Sequence, residues 1–499
     1  MSQPYYITTA INYPNGRPHI GHAYEAIAAD VIARFHRAQG RDVFFQTGTD
    51  EHGLKMAQAA RSEGVEPIEM ADRMVSIFKE MDDLLDISYD RFIRTTEPAH
   101  HAASQAIWRA MAEKGDLYLG RYEGWYSVRD EAFYEESELT GGEGGEKLSP
   151  QGTPVEWTVE ESWFFKLSAY QDRLLKLYAE QPDFILPESR RNEVLRFVEG
   201  GLQDLSVSRT SFDWGVPVPD SPGHVMYVWL DALTNYITGV GYPDRGEQWQ
   251  RYWPADLHLI GKDVVRFHAV YWPAFLMSAD LPLPKHVFGH GHVLLRGEKM
   301  SKSAGNVVDP LKLARRFGTD ALRYFLMREI SFGQDGSYSE EAIVTRCNAE
   351  LANSFGNLAQ RTFSMIGKNL DGVLPPAGEA SDDATLLEQV RSAGETLTRE
   401  FERLSFSSGL DAWMGAVFAC NAYVDTQAPW ALKKSDPERM AAVLGTLAFA
   451  VELLTQAVVP VIPSSAARLL AYIEEGRASG RIAAPQPLFP RLELEEAAA

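Results

Sequence analysis

The first fifty residues combine two short apolar runs with one amphipathic stretch. The runs Y-Y-I-T-T-A at 5–10 and V-F-F-Q-T-G at 43–48 are rich in β-forming side chains. Between them, residues 21–39 place apolar side chains at helical spacing, and Gly40 closes the stretch. The pattern predicts a βαβ unit, and therefore a parallel sheet with helices on its faces.

A second unit of the same kind is predicted much later in the chain. The runs D-L-H-L-I-G at 256–261 and K-H-V-F-G at 285–289 are strand candidates. Residues 263–277, which separate them, carry aromatic side chains at helical spacing. The two units together indicate an α/β fold with a Rossmann-like parallel sheet.

Two further stretches differ from this pattern. Short aromatic strands and the flexible G-G-E-G-G-E at 141–146 indicate an inserted β-rich domain. After about residue 340 strand signals nearly vanish, and long amphipathic stretches predict an all-α helical bundle. We therefore predict four segments: the first half of the α/β domain at 1–115, the insert at 116–224, the second half of the α/β domain at 225–340, and the bundle at 341–499.

Composition indicates a soluble globular protein. Apolar residues make up 45% of the chain, and no run approaches the roughly 18 apolar residues that a membrane helix needs. The N-terminal M-S-Q-P-Y-Y-I-T-T-A resembles neither a secretion signal nor a transit sequence. We expect a cytoplasmic protein that has no membrane partner.

Cysteine content and net charge exclude further kinds of protein. Cys347 and Cys420 are the only cysteines in the sequence, and their separation excludes a disulfide framework and a clustered metal site. Both are interpreted as small buried apolar residues. The formal net charge of −21 argues against a general nucleic-acid coat, although a local basic patch remains compatible with it.

The loop after the first predicted strand ends in His19-Ile20-Gly21-His22. This motif lies where the first helix begins, at the carboxyl end of a strand, which is where open α/β sheets bind ligands. A helix N-terminus offers free N–H groups to a phosphate, and Gly21 leaves room for a ligand against the backbone. The plain alternative is a pair of histidines at a helix start.

A second polar motif, G-E-K-M-S-K-S-A-G at 297–305, follows the second βαβ unit. Attack on an α-phosphate places negative charge on the departing pyrophosphate, and the ammonium groups of Lys299 and Lys302 suit that charge. Both motifs are expected to reach the same crevice. The plain alternative is a solvated surface loop.

Together, H-I-G-H and K-M-S-K-S resemble the paired signatures of class I aminoacyl-tRNA synthetases. Within that class the chain resembles the methionyl-tRNA synthetases over nearly its whole length. The matching stretches are A-I-N-Y-P-N-G (10–16), T-G-T-D-E-H-G (47–53), Y-V-W-L-D-A-L-T-N-Y (227–236), G-K-D-V-V-R-F-H (261–268) and T-Q-A-P-W (426–430).

The resemblance implies an enzyme with two steps. L-methionine and ATP, the latter with Mg²⁺, would give methionyl-adenylate and pyrophosphate. The methionyl group would then pass to tRNA(Met), both initiator and elongator. The α/β domain would be catalytic, and the bundle would bind the anticodon.

The resemblance also assigns roles to individual residues. The catalytic residues would be His19, His22, Lys299 and Lys302. ATP would contact His19, Gly21, His22, Gly261, Asp263, His290, Val293 and Lys302. Methionine would contact Ile11, Tyr13, Asp50, Trp229, Ala232, Leu233, Tyr236, Val264, His268 and Trp272, with Asp50 facing its ammonium group. The anticodon would contact Asn357, Arg361 and Trp430. Without the resemblance, plain core packing would be the preferred interpretation of Trp229, Trp272 and Trp430.

The chain departs from many of these relatives in its insert. Where they carry a Cys-x2-Cys zinc knuckle, this sequence has Ser127 and Asp130, so no zinc and no other metal ligands are predicted. The insert is also short for the editing domain of the isoleucyl, leucyl and valyl enzymes. The cysteinyl enzyme would be expected to carry zinc. Dimeric relatives have an additional C-terminal module, and a monomer is therefore expected here.

Two alternatives from other functional classes remain at this stage. One is a nucleotidyltransferase that uses His-x-Gly-His on ATP and never binds RNA. The K-M-S-K-S loop and the helical C-terminal third argue against it. The other is a tRNA-binding relative that has lost catalysis, and the intact histidines and lysines of both motifs argue against that one. Methionine-dependent pyrophosphate exchange followed by tRNA charging separates all three.

Overall fold

The structure is a computed structural model that describes residues 2–130, 132–142, 145–295, 297 and 307–494. The chain forms two compact units. The first, here called the sheet unit, contains Met1–Pro18, His36–Asp82 and Ser88–His290. The second, here called the helical unit, contains His19–Phe35, Asp83–Ile87 and Gly291–Ala499.

The helices and strands have the following bounds. The strands are β1 Pro4–Thr9, β2 Asp42–Thr49, β3 Arg91–Arg94, β4 Leu117–Ser127, β5 Ala132–Tyr134, β6 Thr140–Gly141, β7 Lys147–Leu148, β8 Glu156–Phe165, β9 Ile185–Leu186, β10 Leu205–Ser206, β11 Ser208–Arg209, β12 Val225–Met226, β13 Leu257–Gly261, β14 Val287–His290, β15 Val293–Leu295 and β16 Gly336–Tyr338. The α-helices are α1 Ile20–Ala38, α2 Leu54–Glu63, α3 Pro67–Leu84, α4 Pro98–Glu113, α5 Gln171–Glu180, α6 Glu188–Glu199, α7 Val228–Thr238, α8 Glu247–Tyr252, α9 Trp272–Ser278, α10 Pro310–Phe317, α11 Thr319–Glu329, α12 Glu340–Cys347, α13 Asn357–Asn369, α14 Ser381–Glu402, α15 Phe406–Gln427, α16 Pro429–Ser435, α17 Pro437–Val458 and α18 Pro463–Ser479.

The sheet unit is built on a six-stranded parallel sheet in the order β3-β2-β1-β13-β14-β9. The chain moves outward from β1 to β2 and, on the other side, from β13 to β14. The strand order therefore reverses between β1 and β13, and a crevice at the carboxyl ends of these strands is the usual ligand position in such sheets. The predicted α/β fold with a parallel sheet is confirmed.

One predicted helix is wrong in detail. Instead of a single helix over 263–277, the chain forms a 3₁₀ turn at Lys262–Val264, a π-helical turn at Phe267–Tyr271, and then α9. Pro273 has no N–H group to donate to the carbonyl of Ala269. That carbonyl accepts a hydrogen bond from the hydroxyl of Tyr178 at 2.6 Å instead. The distant tyrosine thus satisfies the acceptor that the proline leaves open.

The predicted β-rich insert is also present in the sheet unit. Its main sheet is antiparallel, in the order β10-β8-β4-β5. Strands β4 and β8 pair from Leu117–Phe165 to Tyr126–Glu156. Both extend beyond the aromatic runs of the sequence, Y-E-G-W-Y-S at 122–127 and V-E-W-T-V at 155–159. The extension passes through charged residues such as Arg121 and Glu161, which hydrophobic patterning does not identify as strand.

The helical unit contains the predicted bundle, α12–α18. Its core includes a fully buried guanidinium, that of Arg323, which lies 2.6 Å from the carboxylate of Asp30. The thiols of Cys347 and Cys420 are free and buried, as the sequence predicts, and burial raises the pKa of each to about 12. Among the described residues, α17 is the one helix long and apolar enough to cross a membrane, and most of its apolar stretch is buried inside the protein.

Candidate active site

A cavity of about 230 Å³ opens at the carboxyl ends of β1, β2 and β13 in the sheet unit. Its walls are mainly apolar and aromatic, and Asp50 is a buried carboxylate among them. The lining residues are Ala10, Ile11, Tyr13, Asp50, Lys55, Arg129, Asp130, Val228, Trp229, Ala232, Leu233, Tyr236, Val264 and His268. All residues that the sequence assigns to methionine, except Trp272, line this one cavity.

An uncharged polar pair lies in the cavity wall. The hydroxyl of Tyr236 is 2.6 Å from Nε2 of His268, and Nδ1 of the same imidazole is 2.9 Å from the carbonyl oxygen of Val264. The carbonyl can only accept, so Nδ1 carries the proton and Nε2 accepts from the tyrosine. Burial lowers the pKa of His268 to about 4, against a smaller opposing effect of the Val264 hydrogen bond. The imidazole is therefore neutral at pH 7.

A stacked aromatic pair forms another wall. Trp229 and Phe267 have ring centroids 3.8 Å apart and planes only 5° from parallel. The indole Nε1 of Trp229 is buried and has no hydrogen-bond partner among the residues that the structure describes. The wall combines a large polarizable face with one N–H donor.

Trp272 lies behind the cavity instead of in its wall. It is fully buried, and its Nε1 donates to Nε2 of His258 at 3.3 Å. The other ring nitrogen of His258 is 2.7 Å from the hydroxyl of Thr8. Since the ring of Trp272 is 6.1 Å from that of Tyr236, it supports the cavity from outside its lining.

Sequence reasoning missed a buried charge network beside the cavity. The two carboxylate oxygens of Asp231 lie 2.6 Å from Nδ1 of His52 and 2.6 Å from Nε2 of His100. Burial alone would raise the pKa of Asp231, but the attraction of His52 and the hydrogen bonds from both histidines hold it well below its usual range. Asp231 lies on α7 between Trp229 and Ala232, and His52 follows Asp50 by two residues. The network therefore joins two walls of the cavity.

The H-I-G-H motif forms a compact helix start in the helical unit. The backbone N–H of His19 donates to Nδ1 of His22 at 3.0 Å, and that of Gly21 donates to Nδ1 of His19 at 3.1 Å. The two imidazoles stack with centroids 3.8 Å apart, and Ile20 N–H donates to the carbonyl of Val308. A Cβ at position 21 would lie 2.9 Å from the ring of His19. A side chain at position 21 would therefore displace the ring of His19.

The remaining residues assigned to ATP fall in different places. Gly261 and His290 are paired across β13 and β14 at the carboxyl end of the sheet, and Asp263 follows in the 3₁₀ turn. Val293 is buried in β15 of the helical unit. Lys299 and Lys302 lie outside the described residues.

The knuckle positions of the insert are occupied by hydrogen-bonding side chains. Oδ2 of Asp130 accepts from the hydroxyls of Ser149 at 2.6 Å and Tyr134 at 3.0 Å. The hydroxyls of Ser127 and Thr153 are 2.7 Å apart. Zinc prefers thiolate and imidazole ligands, and this set does not fit it. The described part of the chain contains no group of three or more His, Cys, Asp or Glu that could hold a metal ion.

Two of the three residues assigned to the anticodon, Arg361 and Trp430, meet on the helical unit, and Asn357 lies one helical turn before Arg361 on α13. Arg361 Nη2 is 3.4 Å from Asp425 Oδ1, and the Arg361 guanidinium lies 6.0 Å from the ring of Trp430. Trp430 is 53% exposed, so the alternative interpretation of a core anchor is wrong. A helix break precedes Trp430: α15 ends at Gln427, and Ala428 has φ 43° before Pro429 begins α16.

Comparison with known proteins defines the class first. Residues 5–363 match the family model "tRNA synthetases class I (M)", and residues 374–484 match the "Anticodon binding domain of methionyl tRNA ligase". With the Rossmann-like sheet and the H-I-G-H helix start, this defines a class I aminoacyl-tRNA synthetase.

Full-length relatives identify the family. The chain is 56% identical over 504 residues to the methionine–tRNA ligase of Brucella suis biovar 1, covering 98% of each protein. It is 59% identical over 470 residues to that of Mesorhizobium japonicum, covering 94% of this chain and 91% of the relative. A structure of Mycobacterium tuberculosis methionyl-tRNA synthetase in complex with methionyl-adenylate aligns with a TM-score of 0.95 at 53% identity, over 98% of this chain and 100% of that one. The chain belongs to the methionyl-tRNA synthetase family.

This membership confirms the function that the sequence predicts. The protein is a methionine–tRNA ligase, which activates methionine with ATP and transfers it to tRNA. A nucleotidyltransferase that never binds RNA and a relative without catalysis, the two alternatives, are both wrong.

Proposed function

We propose that the cavity of the sheet unit binds L-methionine. The observation that carries the proposal is the combination of one buried carboxylate, Asp50, with apolar and aromatic walls and the neutral pair of Tyr236 and His268. A buried carboxylate attracts an ammonium group more strongly than one in water. Aromatic faces and edges suit a polarizable thioether, and the pair of Tyr236 and His268 places no buried charge against it. The methionyl-adenylate bound by the Mycobacterium tuberculosis relative supports this assignment.

In the proposed first step, the methionine carboxylate attacks the α-phosphate of ATP and pyrophosphate leaves, giving methionyl-adenylate. The carboxylate is already ionised, so no general base of the protein is needed and positioning supplies much of the catalysis. Mg²⁺ enters with ATP as part of the substrate.

The protein groups proposed for ATP have separate tasks. In the sheet unit, Gly261 and Asp263 contact the ribose and His290 the adenine surroundings. In the helical unit, His19, Gly21 and His22 contact the phosphates at a helix start, where N–H groups and the helix dipole favour negative charge. Val293 is assigned to the adenine surroundings. Lys299 and Lys302 meet the charge that develops on the departing pyrophosphate.

In the second step a hydroxyl of the terminal ribose of tRNA(Met), initiator and elongator alike, attacks the methionyl carbonyl of the adenylate. An ester forms and AMP leaves. We propose that Asn357, Arg361 and Trp430 read the anticodon. This rests on the contact of Arg361 with the exposed Trp430, on the shared helix face of Asn357 and Arg361, and on the anticodon-domain match at 374–484, which includes Trp430. Segments 1–115 and 225–340 would carry catalysis, 116–224 would be the insert, and 341–499 would bind the anticodon. The enzyme is proposed to be a cytoplasmic monomer without a membrane partner.

One pair of assays tests this proposal. Methionine-dependent ATP–pyrophosphate exchange reports the first step, and charging of initiator and elongator transcripts reports the second. Trp430→Ala is expected to lower charging roughly tenfold to a hundredfold and to leave exchange unchanged, because stacking on one base is worth about 1 to 3 kcal/mol. Equal losses in both assays would contradict the anticodon assignment. A mass of twice 55.7 kDa by light scattering would contradict the monomer.

A further inference from the structure

Phe418 is a large apolar side chain that the fold leaves in solvent. It lies on α15 and is 55% exposed, whereas its neighbours Val417 and Cys420 are buried in the bundle. An aromatic ring in water contributes little to folding, because the hydrophobic gain comes from area removed from water. The ring of Phe418 is therefore available to a partner outside the chain.

The helical register relates Phe418 to the proposed anticodon residues. Phe418 and Asp425 are seven residues apart on α15, so they share one face of the helix and are separated by about 10.5 Å. Asp425 pairs with Arg361, whose guanidinium lies over Trp430. Phe418 thus continues the same exposed surface two helical turns from that group.

Asn357 lies on the same face of α13 as Arg361, one helical turn before it. The ring of Phe355 is 5.0 Å from that of Trp413, and Arg361 meets Asp425 further along both segments. The two chain segments therefore run in the same direction. Asn357 is exposed and offers both an amide donor and a carbonyl acceptor.

We propose that Phe418 is a second stacking platform for the anticodon loop, taking a base near the one that stacks on Trp430. This inference rests on the proposed anticodon role of that surface. Single-stranded RNA loops are recognised by aromatic rings under splayed bases and by polar side chains at base edges. The rings of Phe418 and Trp430, together with the polar side chains of Asn357 and Arg361, offer that combination on the helical unit.

The same surface fits RNA better than a protein partner. Protein interfaces have a contiguous apolar core, whereas here two separate rings are divided by the ion pair of Arg361 and Asp425. Lys433 and Lys434, in the last turn of α16 after Trp430, supply positive charge for the phosphates of a loop. The surface therefore offers stacking, edge contacts and phosphate contacts together.

The test is charging of methionine tRNA by Phe418→Ala, with pyrophosphate exchange measured in parallel. The expected result is a fall of about fivefold to a hundredfold in kcat/KM for tRNA, mostly through KM, with exchange unchanged. Phe418→Tyr should restore charging because it keeps the ring, whereas Phe418→Leu, which keeps apolar bulk only, should not. Val373→Ala, at another exposed apolar residue of the helical unit, 48% exposed, is the matched control and should charge normally.

Several outcomes would overturn the inference. Wild-type charging by Phe418→Ala while Trp430→Ala loses charging would remove Phe418 and leave the proposed function intact. Wild-type charging by both variants would remove the whole anticodon assignment. Normal charging by Phe418→Leu, or equal losses of charging and exchange in Phe418→Ala, would show that Phe418 acts through packing and not through stacking on RNA. A change in molecular mass of Phe418→Ala by light scattering would indicate a protein interface instead.

Discussion

The hydroxyl of Tyr236 donates a 2.6 Å hydrogen bond to Nε2 of His268 in the wall of the proposed methionine cavity. The Val264 carbonyl fixes the tautomer of the imidazole, and burial keeps it neutral. The wall against the substrate side chain is therefore polar but uncharged. An uncharged wall suits a thioether. A buried charge in the wall would need a counter-ion, which a thioether cannot supply.

Tyr236→Phe tests this pair. The change removes the hydrogen bond that orients the imidazole toward the substrate side chain. A lost hydrogen bond of this kind is worth about 1 to 3 kcal/mol, and we expect this loss in methionine binding, as a rise in KM for methionine of about fivefold to a hundredfold. KM for ATP should stay within about twofold. Tyr170→Phe is the matched control, because this tyrosine is also buried in the sheet unit but does not line the cavity. A parallel rise in both KM values, or none in either, would contradict the role of the pair.

The pH dependence of stability follows from the same imidazole. The pKa of His268 is about 4 in the folded protein against 6.5 ordinarily, so between these values the unfolded chain binds a proton that the folded chain does not. The free energy of unfolding should therefore fall as pH drops through this window, by about 3 kcal/mol from this residue. Urea unfolding at pH 7.5 and 4.5 measures it. His268→Gln should show a smaller loss than the wild type, and an identical loss would contradict the assignment.

Lys302→Ala is expected to lower the rate of methionine-dependent exchange about a hundredfold to a thousandfold. The loss corresponds to one donor that meets charge developing in the transition state, about 3 to 4 kcal/mol. Methionine affinity, measured by equilibrium binding, should hardly change. Lys312→Ala, at an exposed lysine in the first turns of α10, is the control. Near wild-type exchange by Lys302→Ala would show that Lys302 does not contribute to adenylate formation.

The buried pair of Arg323 and Asp30 gives a stability prediction. The guanidinium donates to Asp30 at 2.6 Å and to the carbonyl oxygens of Leu85, Pro460 and Val461, and none of it is exposed. Arg323→Ala leaves the buried carboxylate of Asp30 without this positive partner and should lower the free energy of unfolding by about 3 to 5 kcal/mol. Arg477→Ala, which breaks an exposed ion pair with Glu452, should cost under about 1 kcal/mol. Similar costs from urea unfolding of the two variants would contradict the account.

Metal dependence of the insert gives a further prediction. Asp130, Ser127, Ser149 and Thr153 form a hydrogen-bonded cluster at the knuckle positions. The purified protein should contain no stoichiometric zinc, and its activity should survive chelation once Mg²⁺ is restored. Metal analysis that finds about one zinc per chain would contradict this prediction.

The sequence predicts the parts of this enzyme that depend on local pattern. Strands β1, β2, β13 and β14 follow from short β-rich runs, and the cavity residues follow from stretches shared with relatives. The π-helical turn does not, because its stability depends on Pro273 and on the distant hydroxyl of Tyr178. Nothing in the local sequence around Asp30 predicts its pairing with Arg323, since the two residues are 293 positions apart and meet only in the folded chain.

The charge network of Asp231 shows the same limit in the site itself. Both partners stand in shared stretches, T-G-T-D-E-H-G and Y-V-W-L-D-A-L-T-N-Y, so the sequence did contain a signal. Pairing His52 with Asp231, and adding His100 from a third segment, required the folded arrangement. Conversely, the sequence placed Trp272 in the cavity lining, whereas the structure has it behind Tyr236.

The central claim is that the sheet-unit cavity holds methionine. A crystal structure of the protein soaked with L-methionine tests it most directly. The ammonium group is expected within hydrogen-bonding distance of the Asp50 carboxylate, and the thioether is expected beside Tyr236 and His268, against the Trp229 wall. Methionine bound outside this cavity, or bound within it with its ammonium group away from Asp50, would contradict the account.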